Sequence, residues 1–370
     1  MKYRRGTAAH APLAYESDGS RERERQRTFL IWQQRLQKGE AMCTAATYTG
    51  KYHYFGRNLD LEYSYHESVT VTPRNKELVF RHLPSIPHHY AMIGMAYVVG
   101  DYPLYYDATN EKGLSMAGLN FPGNADYREV ADGKDNVASF EFISWILGQC
   151  GTVAEAKPLL ERINLTNDAF APQLPPSPLH FMIADQKEAV VFEQTKRGAI
   201  VYPNPVGVMT NNPTFDYQMT HLADYMNASA GLPEQKLIPG VQLDTYSRGM
   251  GGMGIPGDLS SASRFVKVAF TKINSEKADT ESAGISQFFK ILGSVEQQKG
   301  CCRLGTDKDG KDICEYTIYS SCCNMDKGIY YYTTYENSQI TGVDMHHTDL
   351  DGSDLTSYEL VTGQQIKMQN

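Results

Sequence analysis

A chain of 370 residues with 41% hydrophobic and 21% charged side chains is long enough to bury a large core, as one big domain or two small ones, and its composition excludes wholesale disorder. The formal net charge of −8 excludes the basic face with which nucleic-acid binders meet phosphates, so any anionic ligand has to be held by local arginines. No apolar run approaches the roughly 20 residues that cross a bilayer, which excludes membrane insertion through a helix.

The stretch ahead of Met42 differs in character from the rest of the chain. It holds nine Lys or Arg and five Asp or Glu, a net +4 that leaves −12 on the remaining residues. Arg21 to Arg27 alternates charge without an apolar face and reads as solvated coil or fraying helix. Phe29-Leu30-Ile31-Trp32 is too short for the apolar core of a signal peptide. Plausible codons for Lys38-Gly39-Glu40 spell a purine-rich run just ahead of the Met42 codon, in the manner of a translated ribosome-binding site. Residues 1–41 are therefore expected to be an unstructured leader, either a start site placed too early or a propeptide that is cut off, and residues 42–370 the folded domain.

Short alternating segments dominate from Met42 onward. Cys43 to Thr49, a Gly50-Lys51 turn and Tyr52 to Asn58 predict an opening β-hairpin, with Leu59, Leu61 and Tyr65 on the loop after it. Strands are expected over Ser68–Thr72, Ala91–Val99 and Leu114–Asn120, the last entered through the turn signal Asn110-Glu111-Lys112-Gly113. Apolar residues at helical spacing predict a helix over Val137–Cys150. Thr152-Val153-Ala154-Glu155 caps a second one running toward Ile163, which Pro158 is expected to shorten or kink. Strands over Leu179–Ala184, Ala189–Gln194 and Ala199–Tyr202 come next, then helices over Ser261–Ile273 and Ile285–Val295. Glu315–Ser321, Gly328–Tyr335 and Ile340–Met345 complete a meander. Strand blocks broken by two helix pairs do not fit βαβ alternation; an α+β arrangement of two packed antiparallel sheets with helices on the outer faces fits better.

The seven cysteines are an odd number and no export signal is evident, which favours reduced thiols in a cytosol. Cys301-Cys302, Cys314 and Cys322-Cys323 are too closely paired for structural zinc, which separates its ligands by about two to four residues. They read as small buried residues in strands, and no metal or cofactor is expected.

Cysteine directly after a candidate initiator is the feature that carries chemistry. Removal of Met42 places on one residue a thiol that titrates near about 8.5 and an α-amine that titrates near about 7.7 to 8.0. The amine, directly or through water, takes the thiol proton and returns it to the leaving nitrogen of an amide, so Cys43 supplies both nucleophile and base. Small residues also commonly follow an initiator, so Met-Cys alone does not establish catalysis. Arg57 and Asp60, in Phe55-Gly56-Arg57-Asn58-Leu59-Asp60, return along the hairpin to lie beside Cys43. There an arginine favours the thiolate and a carboxylate holds the ammonium; a surface ion pair at a turn is the plain alternative.

These segments resemble a known family. Met42-Cys43-Thr44, Phe55 to Ser64 and Pro73-Arg74-Asn75 are similar to the opening of choloylglycine hydrolases, which include bile salt hydrolases and penicillin V acylases. The likeness continues through Asn110 to Leu114, Ala117-Gly118-Leu119-Asn120-Phe121-Pro122, Met209 to Pro213, Ser260 to Phe265 and Tyr316 to Ser321, and so spans essentially all of 42–345. Each piece is weak alone; their order together is specific. The resemblance implies a four-layer αββα sandwich of the N-terminal nucleophile hydrolase type, with Cys43 as nucleophile and Arg57, Asp60, Asn120, Asn211 and Arg264 as the other active-site residues. An amide NH2 such as that of Asn211, aided by Asn120 or a backbone N–H, suits the oxyanion formed when a carbonyl is attacked. On their own, Asn211 ahead of Asn212-Pro213 reads rather as a turn residue, and Arg264 as a solvated helix residue; without the resemblance these readings are favoured.

The resemblance also implies hydrolysis of glycine- or taurine-conjugated bile salts and a homotetramer, and the reduced thiols imply a cytoplasmic enzyme. Asn120 favours this branch over penicillin V acylases, which tend to carry tyrosine there; an N-acyl homoserine lactone acylase is a further alternative. Leu59, Leu61 and Tyr65 are candidate walls for a steroid, although such residues are more often plain core. A noncatalytic binding protein has only the cysteine cluster in its favour.

Overall fold

The chain from Met42 opens with a hairpin of β1 (Cys43–Thr49) and β2 (His53–Leu61) and goes on through β3 (Ser68–Thr72), β4 (Met92–Val99), β5 (Tyr102–Asn110), β6 (Ser115–Asn120) and β7 (Asp135–Ala138). Helices α1 (Phe142–Gln149) and α2 (Val153–Arg162) precede β8 (Ile163–Thr166), β9 (Leu179–Ala184), β10 (Ala189–Thr195), β11 (Gly198–Pro203) and β12 (Val208–Met209). Then come α3 (Phe215–Leu222), α4 (Ser261–Asn274) and α5 (Glu281–Gly293), and the chain closes with β13 (Cys302–Thr306), β14 (Asp312–Asn324), β15 (Ile329–Thr334), β16 (Asn337–Asp344) and β17 (Thr356–Glu359). The structure is a computed structural model and describes residues 42–370; the leader expected over 1–41 lies outside the described residues.

Two antiparallel sheets result, as expected. One is seven-stranded, in the order β12-β1-β2-β14-β15-β16 with β13 on β14; the other is eight-stranded, in the order β11-β10-β9-β6-β5-β4-β3-β17. Successive residues of the eight-stranded sheet divide between two cores. Ala117, Leu119, Met182, Ala184 and Val191 point into the layer between the sheets. Met116, Phe181, Ile183, Val190 and Phe192 point outward onto Phe142, Ile146, Leu147, Val153 and Leu160 of α1 and α2. The alternation of the pleat thus buries both faces. On the far side, Phe265, Val268, Phe288 and Leu292 of α4 and α5 pack on the seven-stranded sheet, which makes the layer order αββα.

Several expectations are corrected. Leu59 and Leu61 lie within β2, not on the loop after it, because β14 pairs with that strand out to Leu61. The first helix starts at Phe142 rather than Val137, since 135–138 form a parallel pair with β8. Strand β5 and helix α3 were not expected at all. Helix α2 runs to Arg162 with Pro158 inside it, so the proline does not shorten it. Its cap is the expected Thr152, which accepts from the Glu155 N–H at 3.2 Å, but the Glu155 carboxylate takes the N–H of Gly151 rather than that of the cap residue.

Candidate active site

Cys43 is the first residue of β1 and is buried; in register it faces Leu59, which puts Arg57 at the diagonal position on the same face. That face looks toward the eight-stranded sheet. From it the Arg57 guanidinium donates to Cys43 Sγ at 2.6 Å, to the Gly118 carbonyl of β6 at 2.7 Å and to the Tyr106 carbonyl of β5 at 3.1 Å. The neighbouring strand residues point the other way, toward the helices. There Asp60 accepts from Thr317 Oγ1 of β14 at 2.6 Å and from Gln297 Nε2 at 3.3 Å.

Arg264 approaches from this helix side. It donates to Asn211 Oδ1 at 2.8 Å, to Thr44 Oγ1 at 2.5 Å and to the carbonyl of Cys43 itself. With 0% exposure it is no solvated helix residue. A cation in the first turn of α4 also meets the positive end of the helix dipole, so local helix energetics do not explain its place. Asp258 relieves that end by accepting from the Ser260 N–H at 2.9 Å and the Ser263 hydroxyl at 2.7 Å.

Asn211 follows β12, the strand beside β1. Its Oδ1 accepts from the Cys43 backbone nitrogen at 2.7 Å, and its Nδ2 donates to the Asn120 carbonyl at 2.8 Å. One Nδ2 hydrogen therefore stays uncommitted. The Asn120 side chain, at the end of β6, makes no hydrogen bond among the described residues. The structure thus brings Cys43, Arg57, Asn211 and Arg264 into one hydrogen-bonded network that also touches the Asn120 backbone, with the Asp60 carboxyl close enough to feel the charges of Arg264 and Arg57. Leu59 is a core residue of the same face, and Leu61 packs at the core's edge. Tyr65 sits on loop 62–67, its ring 5.0 Å from that of Tyr63. The carboxylate of Glu67 clamps this loop, accepting from the Tyr65 N–H at 2.9 Å and the Ser64 hydroxyl at 3.1 Å around a left-handed His66.

Sequence reasoning missed three buried groups around the thiol. Glu315 accepts from the Met42 backbone nitrogen; Thr317 and Gln297 hold Asp60; Asp107 accepts from Tyr330 at 2.7 Å and Tyr319 at 2.9 Å beneath Arg57. The pairing of Thr317 with Asp60 was in principle accessible from strand alternation. Asp107 was hidden because β5 went unrecognised. Burial pushes the Cys43 thiol up, opposed chiefly by the Arg57 charge. Burial likewise lifts Asp60 to about 6 against Arg264 and its Thr317 hydrogen bond, and lifts Glu315 to about 9.

The four-layer sandwich, with a buried cysteine opening its first strand, is the fold class of N-terminal nucleophile hydrolases. Residues 43–358 match the model of the family described as linear amide C–N hydrolases, choloylglycine hydrolase family. The bile salt hydrolase/transferase of Lactiplantibacillus plantarum is 56% identical over 319 residues, 86% of this chain and 97% of that protein. The bile salt hydrolase/transferase of Clostridium perfringens is 39% identical over 325 residues, again 86% of this chain and 97% of that protein. A crystal structure of a variant conjugated bile acid hydrolase from Clostridium perfringens superposes with a TM-score of 0.80 at 36% identity, covering 89% of this chain and 100% of the other. The chain belongs to the choloylglycine hydrolase family.

Proposed function

We propose that the protein hydrolyses the amide bond of glycine- or taurine-conjugated bile salts, releasing the free bile acid and the amino acid, with Cys43 as nucleophile. What carries the reading is the 56% identity, over 97% of its length, with a relative named for bile salt hydrolysis. The acting chain begins at Cys43. In support, the match to the family opens at residue 43.

With Met42 gone, the Cys43 nitrogen is an amine that keeps Asn211 Oδ1 as acceptor, and Asp60 supplies nearby negative charge. The amine takes the thiol proton, and Sγ bonds to the substrate carbonyl carbon. The oxyanion is met by the spare Asn211 Nδ2 hydrogen and by the NH2 of Asn120. Collapse breaks the carbon–nitrogen bond while the ammonium protonates the leaving nitrogen; water then cleaves the thioester by the same proton route. Arg57, bonded to Sγ, favours thiolate against the burial that opposes it. Arg264 fixes the Cys43 carbonyl and Asn211 together. Leu59, Leu61 and Tyr65 form apolar walls for the steroid.

A reducing cytoplasm is part of the proposal, since the chemistry needs a free thiol. So is self-association as a homotetramer. It is supported by a run of large apolar side chains left exposed on one segment, among them Leu237 at 81% and Tyr246 at 82%.

The test is release of taurine, glycine or phenoxyacetate from taurocholate, glycocholate and penicillin V by a chain beginning at Cys43. Both bile salts are expected to be cleaved. Cys43→Ala and Cys43→Ser abolish release without changing the melting temperature, and a chain with residues ahead of Cys43 still attached is inactive because its nitrogen is an amide. A fully active Cys43→Ala enzyme overturns the mechanism. Faster cleavage of penicillin V moves the assignment to an acylase.

A further inference from the structure

Two segments that carry the proposed oxyanion donors come from different sheets. Asn120 ends β6 of the eight-stranded sheet, and Asn211 follows β12 of the seven-stranded one. Direct bonds stitch them above: Asn212 Nδ2 to the Pro122 carbonyl at 3.0 Å, and Asn124 Nδ2 to Asn212 Oδ1 at 2.8 Å. Beneath them lies a buried pair with no part in the chemistry so far, His180 on β9 and Glu193 on β10, both pointing into the layer between the sheets.

His180 touches both segments. Its ring stacks on Phe121, the residue after Asn120, with centroids 4.2 Å apart and planes 6° from parallel. Its Nε2 lies 2.7 Å from the carbonyl of Thr210, the residue before Asn211. A carbonyl only accepts, so Nε2 carries a proton. Its Nδ1 lies 3.1 Å from Glu193 Oε1, which also accepts the Phe215 N–H at the start of α3 at 2.9 Å. Glu193 Oε2 has no partner among the described residues. A carboxylate with one oxygen unpaired at 0% exposure, beside a nearly buried imidazole, is an expensive arrangement for a packing role that two apolar residues fill at less cost.

We infer that His180, oriented by Glu193, is a positioning residue that sets the spacing of the Asn120 and Asn211 amides across the two sheets. The inference rests on the reading that these amides hold the oxyanion. Among the described residues His180 makes no hydrogen bond to Cys43 or Arg57, so its loss acts on transition-state stabilisation and not on thiol reactivity; a misplacement of about 1 Å is enough to cost about 100-fold in rate.

The experiment measures kcat and KM on taurocholate, the rate of Cys43 alkylation by iodoacetamide, and melting, for His180→Phe, His180→Gln, Glu193→Gln and Asn211→Ala. His180→Phe keeps the stack and loses both polar contacts. It is expected to lower kcat about 100-fold with KM and alkylation within about threefold of the parent, and His180→Gln, which retains a donor toward Thr210, restores part of the loss. A folded His180→Phe enzyme with parental kcat overturns the inference, as does a loss of kcat matched by an equal loss of alkylation. If His180→Phe does not fold, Glu193→Gln decides in its place: a lower kcat with alkylation retained supports the inference, and an unchanged kcat removes it. Full activity in Asn211→Ala removes instead the oxyanion reading beneath it.

Discussion

Around Cys43 the same low-dielectric interior works in two directions. It raises the thiol and two carboxyls, and it strengthens every hydrogen bond that the two arginines make. Asn211 is the residue on which these lines meet, since it touches the Cys43 nitrogen, Arg264 and Asn120 at once. Asn211→Ala is expected to lower kcat by about 100- to 1,000-fold, measured on taurocholate in a variant whose melting shows it to be folded. Asp60 gives a pH signature. Its carboxyl rises from 3.8 to about 6 on folding, so the native state keeps that proton longer than the unfolded chain does. The stability it confers is complete below the unfolded value and is lost as pH climbs through about 6, a decline of about 3 kcal/mol. Urea midpoints of the parent measured against Asp60→Asn are expected to diverge between about pH 4 and 6 and to run level above it. A constant offset across that window contradicts the assignment of the shift to Asp60.

At the scale of elements, the opening hairpin decides which way each charge points. Residues 43, 45, 57 and 59 share one face and 44, 58 and 60 the other, so Arg57 enters the layer between the sheets while Asp60 turns toward α4 and α5. Cys43 sits at the strand end where both layers reach it. The hairpin in turn is locked against β14, and Gly56 is the point of closest approach: a β-carbon there overlaps the Ser321 carbonyl. Gly56→Ala is expected to cost about 1–3 kcal/mol by forcing β2 away from β14. Because that shift carries Arg57 with it, alkylation of Cys43 by iodoacetamide slows as well. Retention of both stability and reactivity shows that the strands have room to spare. Much of this element-level geometry was legible beforehand, since period-2 alternation and turn residues located the hairpin and the meander. Strand β5 was not, because Tyr102-Pro103-Leu104-Tyr105-Tyr106-Asp107 carries an early proline and no clean alternation; its pairing with β4 and β6 is what makes it a strand.

For the whole molecule, two sheets have to close on one another before the site exists, because Arg57 and Asn120 bond or lie across the gap between them. The segment around 226–253 lies largely at the surface. Met226, Leu237, Tyr246 and Met253 on it are 82%, 81%, 82% and 66% exposed, an apolar surface that a subunit contact would cover. Sedimentation of the parent is expected to show an oligomer, and Leu237→Glu with Tyr246→Glu to shift it toward the monomer while each subunit keeps the Cys43 network. A monomeric parent at micromolar concentration refutes the proposed assembly.

The amino-acid sequence by itself determined the alternation that makes sheets, the helix pairs that flank them, and the thiol-bearing residue behind Met42 with Arg57 and Asp60 a hairpin away. These are local properties, written in spacing and turn chemistry within a few residues. Only the tertiary structure decided that Arg264 is buried against Asn211, that Glu315 meets the residue ahead of Cys43, and that His180 bridges the two sheets. Those contacts join residues far apart in the chain. Their partners are chosen by sheet order and by which face of a strand or helix turns inward, and no short window of sequence contains that information.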